Sequence, residues 1–361
     1  MKPSLLIQLL NQPSLAESFS TKDWELVVRQ CVVTYLSAML WIVLNKLDLL
    51  GSVHPKALSF LRAEFLLIGR QNALTTFELE KIHQALHPYE NKVILLKGAA
   101  YIALKLPLAD GRRISDIDIL IAQNKLITAE RELIFYGWAK TKTNDYDQRY
   151  YREWMHEIPP LQHRKRGTVI DVHHNILPPV LKRVPKAEKL LASAIHSGVD
   201  SFYVLQPIDM ILHSACHLFG EGEFEKGIRD LYDLHQLFGH YEACIDDFWN
   251  TLINRAEELH LERAIYLAMR YTHQIFSTRI PTSAFVLVDK YASPKYVQSV
   301  IDYLFLNIFV PHHASCHCMG FKVAKFILYW RGHLKRMPLR LLLPHIIRKS
   351  FRTLIEKRED S

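Results

Sequence analysis

The spacing of apolar residues changes twice along the chain. Up to about residue 90 they recur at intervals of three and four, as in Trp24, Val27, Val28 and Cys31, which is the period of an amphipathic helix. Short continuous apolar runs then take over, and the helical spacing returns from Pro207 onwards. The pattern therefore predicts a helical N-terminal region, a mixed middle region and a helical C-terminal region.

The middle region alternates strand-like and helix-like segments. KVILL, which begins at Lys92, and ISDIDILIA predict two strands, and each is followed by a helix-prone segment. The second helix, ITAERELIFYG, is predicted to stop at Gly137, a common place for glycine. DYDQRYYREWMHEI and GTVIDVHH predict two further strands. This order predicts an α+β fold, in which helical regions flank a small mixed-sheet core.

Four segments follow from these changes. We predict a helical N-terminal region at 1–90, an α/β core at 91–205, a helical C-terminal domain at 206–320 and a basic amphipathic helical tail at 321–361. The chain has 45 Lys and Arg against 37 Asp and Glu, a formal charge of +8, and the tail holds 11 of the former and 3 of the latter. Because residues 1–320 are balanced in charge, the excess belongs to the tail and does not indicate that the whole protein binds polyanions.

The tail has one apolar stripe, which consists of Leu343, Ile347, Phe351 and Leu354. A basic helix with such a stripe docks on the body of its own protein, on an anionic membrane surface or on RNA. The sequence does not decide among these three partners.

Composition narrows the class of protein. Apolar residues make up 49% of the chain, enough for a sizeable core. The five cysteines show no disulfide-framework spacing, which fits a reducing compartment, and we expect a cytoplasmic location. The longest apolar stretch starts at Cys31 and is broken by Asn45 and Lys46, so it predicts a buried helix and no transmembrane segment.

Two aspartates interrupt the second predicted strand. Because strand side chains alternate, Asp116 and Asp118 share one face, while Ile117 and Ile119 face the core. Two neighbouring carboxylates at the end of a buried strand are costly unless a cation binds them. Mg²⁺ prefers such ligands. Asp171, inside a later apolar run, is the candidate third carboxylate for a two-metal site.

Residues that suit phosphate groups lie just upstream. Lys97 and Gly98 end the first predicted strand and open a helix, where a glycine lets the backbone approach a ligand and backbone N–H groups favour anions. Arg112 and Arg113 precede the aspartates, and their guanidinium groups suit a triphosphate.

This layout, K-G, then R-x-S-D-x-D, then a later Asp, resembles the nucleotidyltransferases of the polymerase-β superfamily. It is most similar to the bacterial uncharacterised nucleotidyltransferase family, and abortive-infection and toxin-type nucleotidyltransferases share the same features. The resemblance implies that Gly98 belongs to the first motif. It also implies that Asp116 and Asp118 carry the metals and that Asp171 is the third acidic residue. DVHH, HSACH and RDLYDL extend the likeness to about residue 240.

The resemblance further implies that Lys97, Arg113 and Ser115 surround the nucleotide phosphates. The chain departs from the superfamily at one point, because Ala99 follows Gly98 where serine or glycine is usual. The serine hydroxyl that would hold a phosphate is therefore missing, and Lys97 or Ser115 is expected to substitute for it.

The predicted function is transfer of a nucleoside monophosphate from a nucleotide triphosphate such as ATP, dependent on Mg²⁺ or Mn²⁺, with release of pyrophosphate. The sequence does not identify the molecule that carries the acceptor hydroxyl, which is a small molecule, an RNA or a protein. Asp171 would hold one ion and act as base, and Arg113 would stabilise charge on the α-phosphoryl group. Two alternatives remain, a toxin-like enzyme that modifies tRNA or another RNA, and a catalytically inactive binding protein of the same fold.

Other polar residues have both a functional and a structural interpretation. His173 shares a face with Asp171. It is therefore a candidate contact of a phosphate or of the metal ligands, and a hydrogen-bonded interior histidine is the structural alternative. His213 and His217 have a helical zinc spacing, and Cys316 and Cys318 form an isolated C-x-C; neither set has further ligands of the usual kind.

The predicted helix GIRDLYDLHQL carries three charged side chains off its apolar face, Arg229, Asp230 and Asp233. We predict that they are surface charge with a local ion pair.

Overall fold

A computed structural model describes residues 4–87, 92–141, 144–220 and 222–336. The apolar stripe predicted for the tail lies outside these residues. Within the described ranges, no helix combines the length and the apolar character that crossing a bilayer requires.

The N-terminal region is helical, as predicted. Its helices are α1 (Leu5–Asn11), α2 (Thr21–Thr34), α3 (Ser37–Lys46) and α4 (Pro55–Leu86). Ser20 starts α2, because its side chain accepts the backbone N–H of Asp23 while the Asp23 carboxylate accepts that of Ser20, a capping box. The predicted apolar positions Trp24, Val27 and Cys31 are buried.

The middle of the chain forms one mixed sheet of seven strands in the order β3-β4-β5-β2-β1-β7-β6. The strands are β1 (Ile94–Leu95), β2 (Ile117–Leu120), β3 (Trp138–Lys140), β4 (Leu161–His163), β5 (Val169–His173), β6 (Ile195–His196) and β7 (Tyr203–Val204). β2 runs parallel to β5 and β1 parallel to β7, and the other pairs are antiparallel. The predicted α+β class is confirmed.

Short helices connect the strands. They are α5 (Lys97–Ala103), α6 (Leu126–Phe135), α7 (Asp145–Arg149) and α8 (Ala187–Ser193). Gly137, just after α6, has a φ of 104°, a backbone conformation that glycine adopts without strain. It lies where the sequence predicts the end of the helix.

The strand predicted for DYDQRYYREWMHEI is wrong. This segment forms α7 and then one π-helical turn, Tyr150–Trp154. Its side chains interact at a spacing of four: Arg149 Nε lies 2.9 Å from Glu153 Oε2, and the rings of Tyr150 and Trp154 are 6.0 Å apart. These helical contacts outweigh the aromatic content that favoured a strand.

The C-terminal helices begin with α9 (Pro207–Gly220), which is buried along most of its length and contacts α10, α11 and α12. The others are α10 (Gly227–Glu242), α11 (Phe248–Glu258), α12 (Glu262–Phe276), α13 (Thr282–Asp289), α14 (Lys295–Ile308) and α15 (Met319–Arg336). A hydrogen bond of 2.8 Å between Tyr101 Oη and Ser214 Oγ joins α5 to α9. The helices thereby close one side of the sheet and form a wall of the cavity described next.

Candidate active site

Two of the sequence-predicted carboxylates lie side by side on adjacent strands. β2 and β5 are parallel, and Asp118 pairs in register with Asp171, so both side chains leave the same face of the sheet. Asp116 lies just before β2. All three line one cavity of about 520 Å³. The fold therefore brings together acidic residues that are more than fifty positions apart in the chain.

Asp118 is buried and held by two partners. Lys97 Nζ lies 2.9 Å and His173 Nε2 3.0 Å from the same carboxylate oxygen, Oδ1. Burial on its own would raise the pKa of Asp118, but the Lys97 charge and the His173 hydrogen bond hold that pKa well below its usual range. Asp118 is therefore ionised, and no residue of the described chain hydrogen-bonds its other oxygen, Oδ2.

Asp171 has the opposite electrostatic behaviour. Burial first, and then the negative charges of Asp118, Glu157 and Asp116, raise the pKa of Asp171 to about 7. Its Oδ1 is enclosed and has no hydrogen-bond partner in the described chain. An enclosed oxygen among mutually repelling carboxylates fits a cation ligand, because a cation would neutralise the repulsion and fill the missing contact.

The turn between β1 and α5 directs Lys97 to Asp118. Lys97 has a φ of 44°, a left-handed conformation that is unfavourable for a residue with a side chain and is concentrated at functional sites. Gly98 follows, and a Cβ on it would lie 2.8 Å from Arg112 Nη1 and 2.9 Å from Ile114 Cγ1. Gly98 lines the cavity. Glycine is required here because the side chains of Arg112 and Ile114 approach its Cα closely, whereas the sequence analysis attributed the requirement to a bound ligand.

The two neighbouring arginines face different surroundings. Arg112 is buried, lines the cavity and donates from Nε to Asp233 Oδ2 at 2.6 Å. Arg113 is exposed, lies 5.7 Å from the centre of the Tyr35 ring and is not among the residues that line the cavity. The structure therefore does not bring Arg113 to the carboxylates. Ser115 does line the cavity, and its hydroxyl donates to Asp116 Oδ1 at 2.8 Å.

The interpretation of the α10 charges as surface charge is wrong, although the predicted local ion pair is present. Arg229 and Asp233 are buried, and Asp230 is largely enclosed. Arg229 Nη2 lies 2.5 Å from Asp230 Oδ1, and Asp233 holds Arg112. The reason is that α9 and α12 cover the apolar face of α10, while its charged face forms the cavity wall opposite the sheet.

Lys226, just before α10, was not singled out from the sequence. It lines the cavity, and its Nζ lies 3.4 Å from Ser115 Oγ. Lys97, Arg112 and Arg229 each contact a carboxylate. Of the four Lys and Arg residues that line the cavity, only Lys226 has no carboxylate partner in the part of the chain that the structure describes.

The cavity lining is rich in negative charge. Eight carboxylates and four Lys and Arg side chains line it. A cavity of this composition attracts cations and repels a bare triphosphate, so an anionic nucleotide needs bound cations to enter.

The comparison with known families is consistent with this geometry. The model of the uncharacterised nucleotidyltransferase family matches residues 20–277. The chain belongs to this family. The matched range contains the whole sheet, the three aspartates and the helices from α2 to α12, and it supports a general nucleotidyltransferase function. Neither the curated proteins nor the solved structures include a match to the chain.

The same cavity contains a second group of candidate metal ligands. One ligand atom from each of His156, Glu157 and His173 lies within 4.8 Å of the others. His173 Nδ1 is 3.4 Å from Glu157 Oε2, and the two residues form a β-bridge. His156 and Glu157 were missed because the segment MHEI was read only as part of a strand. Such imidazole ligands suit zinc better than magnesium or manganese.

The remaining candidate ligands are not brought together in the part of the chain that the structure describes. His217 lines the cavity, whereas His213 is buried in α9, and burial holds its pKa well below the usual range. Cys318 Sγ lies 3.2 Å from Asn307 Oδ1, and Cys316 Sγ lies 3.4 Å from Gln30 Nε2. Among the described residues, neither the histidine pair nor the C-x-C segment forms a metal-ligand group.

Proposed function

We propose that the protein transfers a nucleoside monophosphate from a nucleotide triphosphate to an acceptor hydroxyl and releases pyrophosphate, in a reaction that depends on Mg²⁺ or Mn²⁺. The observation that carries this proposal is the register of Asp118 with Asp171, beside Asp116, in one cavity. The family match supports the transfer class.

Three carboxylates supply the ligands for the divalent ions. Asp118 Oδ2, Asp171 Oδ1 and the Asp116 carboxylate are the oxygens we assign to them, because the first two have no hydrogen-bond partner in the described chain. When bound, the ions supply positive charge against the phosphates of the nucleotide. His173 is a positioning residue, since it fixes the Asp118 carboxylate through Oδ1.

Four residues of the lining are proposed to surround the triphosphate. Lys97, Gly98 and Ser115 line the cavity next to the carboxylates. We add Lys226, since its ammonium group has no carboxylate partner in the described chain and reaches Ser115. It takes the place that the sequence assigned to Arg113, whose exposed side chain stacks over Tyr35.

The reaction forms one bond and breaks one bond. The acceptor oxygen attacks the α-phosphorus, the bond from that phosphorus to the bridging oxygen of the β-phosphate breaks, and the electron pair leaves with pyrophosphate. The acceptor proton passes to Asp171. Without bound ions the pKa of Asp171 is about 7. An ion on its Oδ1 would lower that pKa and leave the carboxylate ionised, ready to accept the proton of the acceptor hydroxyl.

Label transfer tests the proposal. Each of the four nucleotides, labelled at the α-phosphate, is incubated with Mg²⁺ or Mn²⁺, the protein and a cell extract. We expect label to appear on an acceptor, with at least a hundredfold less in Asp116→Asn/Asp118→Asn. Asp110→Asn, an exposed aspartate nearby, is the matched control and should retain full transfer. Equal transfer by the double variant would refute the assigned roles.

A further inference from the structure

A second cavity of about 670 Å³ adjoins the first. Its walls expose mainly apolar surface and come largely from the segment after β5 and from α9, α12 and α15. They include Ile176, Leu177, Val180, Leu181, Leu261 and Leu267. The size is that of a site for a small organic molecule.

The charged groups of this second cavity are all cationic. Lys182, Arg183, Arg263, Arg331 and Lys335 line it, and no carboxylate does among the described residues. Arg183 is the one that forms an ion pair within the described chain, with Glu262. Among the described residues, no carboxylate forms an ion pair with the other four. This composition is the reverse of that of the first cavity.

Two of these cations are built into the wall. Arg331 donates from Nη2 to the Phe219 carbonyl at 3.0 Å, and its Nη1 is enclosed with no hydrogen-bond partner in the described chain. Arg263 Nη2 donates to Ser293 Oγ at 2.9 Å. Burial and the neighbouring Arg263 lower the pKa of Arg331 to about 10. A bound anion would supply the hydrogen-bond partner that Arg331 Nη1 lacks and reduce the repulsion.

The two cavities share part of their walls. His156 and His217 line both of them. His217 is on α9, beside Cys216 and Gly220 of the second cavity. A molecule in the second cavity therefore lies next to the group of carboxylates and imidazoles of the first.

We propose that the second cavity binds the acceptor of the transfer, and that this acceptor is a small amphipathic anion. This inference rests on the function proposed above. The aliphatic wall holds an apolar body, Arg331 and Arg263 pair with a phosphate or carboxylate group, and the acceptor hydroxyl passes between His156 and His217 towards Asp171.

The lining favours such a molecule over the end of an RNA. Single-stranded RNA sites use aromatic side chains on which bases stack. Here the apolar wall consists of branched aliphatic residues, and Phe219 is the one Phe, Tyr or Trp among the described lining residues. Aliphatic walls fit an alkyl or alicyclic body better than a series of bases.

Binding of octyl phosphate to the full-length protein tests the inference. Calorimetric titrations below the micelle concentration compare octyl phosphate with octanol, octylammonium and inorganic phosphate. We expect octyl phosphate to bind more tightly than each of them. Arg331→Gln should weaken its binding about ten- to a hundredfold, the range for loss of a charge-assisted hydrogen bond. Lys335→Gln, whose exposed position protects folding, should weaken it less. Lys322→Gln, exposed on the same helix, is the control and should not change it.

Three results would overturn the inference: equal binding of octanol and octyl phosphate, binding that is unchanged in both Arg331→Gln and Lys335→Gln, or displacement of octyl phosphate by a short RNA. The test is separable from that of the transfer, because Asp118→Asn should still bind octyl phosphate. If octyl phosphate binds as expected but no label transfer is found, the transfer is refuted and the cavity remains a site for an amphipathic anion. Label transfer without octyl phosphate binding refutes the present inference alone.

Discussion

At the scale of single residues, Asp118 and Asp171 differ in protonation although they are paired in register on neighbouring strands. Lys97 and His173 keep Asp118 ionised, whereas burial and the surrounding carboxylates raise the pKa of Asp171 to about 7. Two carboxylates with separated pKa values are suited to different roles. In the proposed function, Asp118 is the permanently ionised ligand, and Asp171 is the carboxylate that accepts a proton.

The raised pKa of Asp171 predicts a pH dependence of stability. In the unfolded chain an aspartate ionises near pH 3.9, but in the folded protein Asp171 keeps its proton up to about pH 7. Between these values the unfolded state has lost the proton and the folded state has not, so folding stability falls as pH rises. In EDTA, Asp171→Asn should lack this fall and be about 2–4 kcal/mol more stable than wild type at pH 8.

Urea unfolding at pH 4 and pH 8 measures this difference. The variant and the wild type should converge at pH 4, and Mg²⁺ at pH 8 should stabilise the wild type more than the variant. Asp110→Asn, at an exposed position, controls for removal of a carboxylate. A variant less stable than wild type at pH 8 in EDTA would show that Asp171 is not destabilised by its neighbours.

Lys226 and Arg113 provide a second comparison at the residue scale. Lys226 lines the cavity, and Arg113 does not. In steady-state transfer assays, Lys226→Gln should raise the KM for the nucleotide about tenfold or more, because a charged contact to phosphate is lost. Arg113→Gln should change it about twofold or less, as expected for an exposed charge. If Arg113→Gln raised the KM more than Lys226→Gln does, Arg113 would be the phosphate contact, as the sequence analysis expected.

The sequence indicated the acidic residues better than the basic ones. Asp116, Asp118 and Asp171 stand out because charges are rare in apolar runs. Arg112 and Arg113 are adjacent, and only the conformation of the loop decides which of them faces the cavity. Lys226 is more than a hundred positions further along the chain, so its closeness to Ser115 could be found only from the packing of α10 against the sheet.

At the scale of elements, a buried ion pair fixes α10 to the loop before β2. Arg112 Nε lies 2.6 Å from Asp233 Oδ2, and both side chains are less than a tenth exposed. This contact holds the helical wall of the cavity against the sheet that carries the aspartates. Its main role in this account is therefore to set the width of the cavity.

Removing one partner of this pair should be costly. Arg112→Leu or Asp233→Leu alone should destabilise the protein by about 3–5 kcal/mol, because each removes one partner of a buried ion pair. Asp230 Oδ1 lies 3.9 Å from Arg112 Nη2, too far to replace the contact of 2.6 Å that Asp233 makes. The double variant should recover most of that loss, since two apolar side chains replace a buried pair at little cost. Urea unfolding of the four proteins measures the coupling. Additive losses in the double variant would show that the two charges do not depend on each other.

The elements themselves were predictable in proportion to their length. β2, β5 and α6 are visible in the sequence as clear apolar patterns. β1 lies within the run KVILL, which also predicts a strand. β6 and β7 have two residues each, and β3 and β4 have three, too few for alternation to be recognised. The order that places β2 beside β5 is set by long-range pairing, and the family resemblance, not the local pattern, anticipated it.

At the scale of the whole molecule, the N-terminal helices contact the C-terminal ones. Asn11 Nδ2 donates to the Ile275 carbonyl at 2.7 Å, and Gln30 Nε2 lies 3.1 Å from Ser315 Oγ. α15, which contains the start of the predicted tail, packs on α14. The domain boundaries drawn from the sequence, and contact of the later tail with RNA or an anionic surface, stay predictions.

The family range and the second cavity overlap only in part. The family model ends at residue 277, whereas Arg331 and Lys335 belong to α15. In our account, residues inside the family range carry the transfer chemistry, and residues beyond it contribute to the choice of acceptor. We therefore expect the choice of acceptor to differ more among members of the family than the metal site does.

The location of the metal decides the central claim. Crystals of the wild-type protein with Mn²⁺ and a non-hydrolysable nucleotide give an anomalous difference map that shows the ion directly. We predict manganese density in contact with the carboxylates of Asp116, Asp118 and Asp171, with the nucleotide phosphates beside it. Density confined to His156, Glu157 and His173, or nucleotide bound in the cavity without manganese at the three aspartates, would contradict the account.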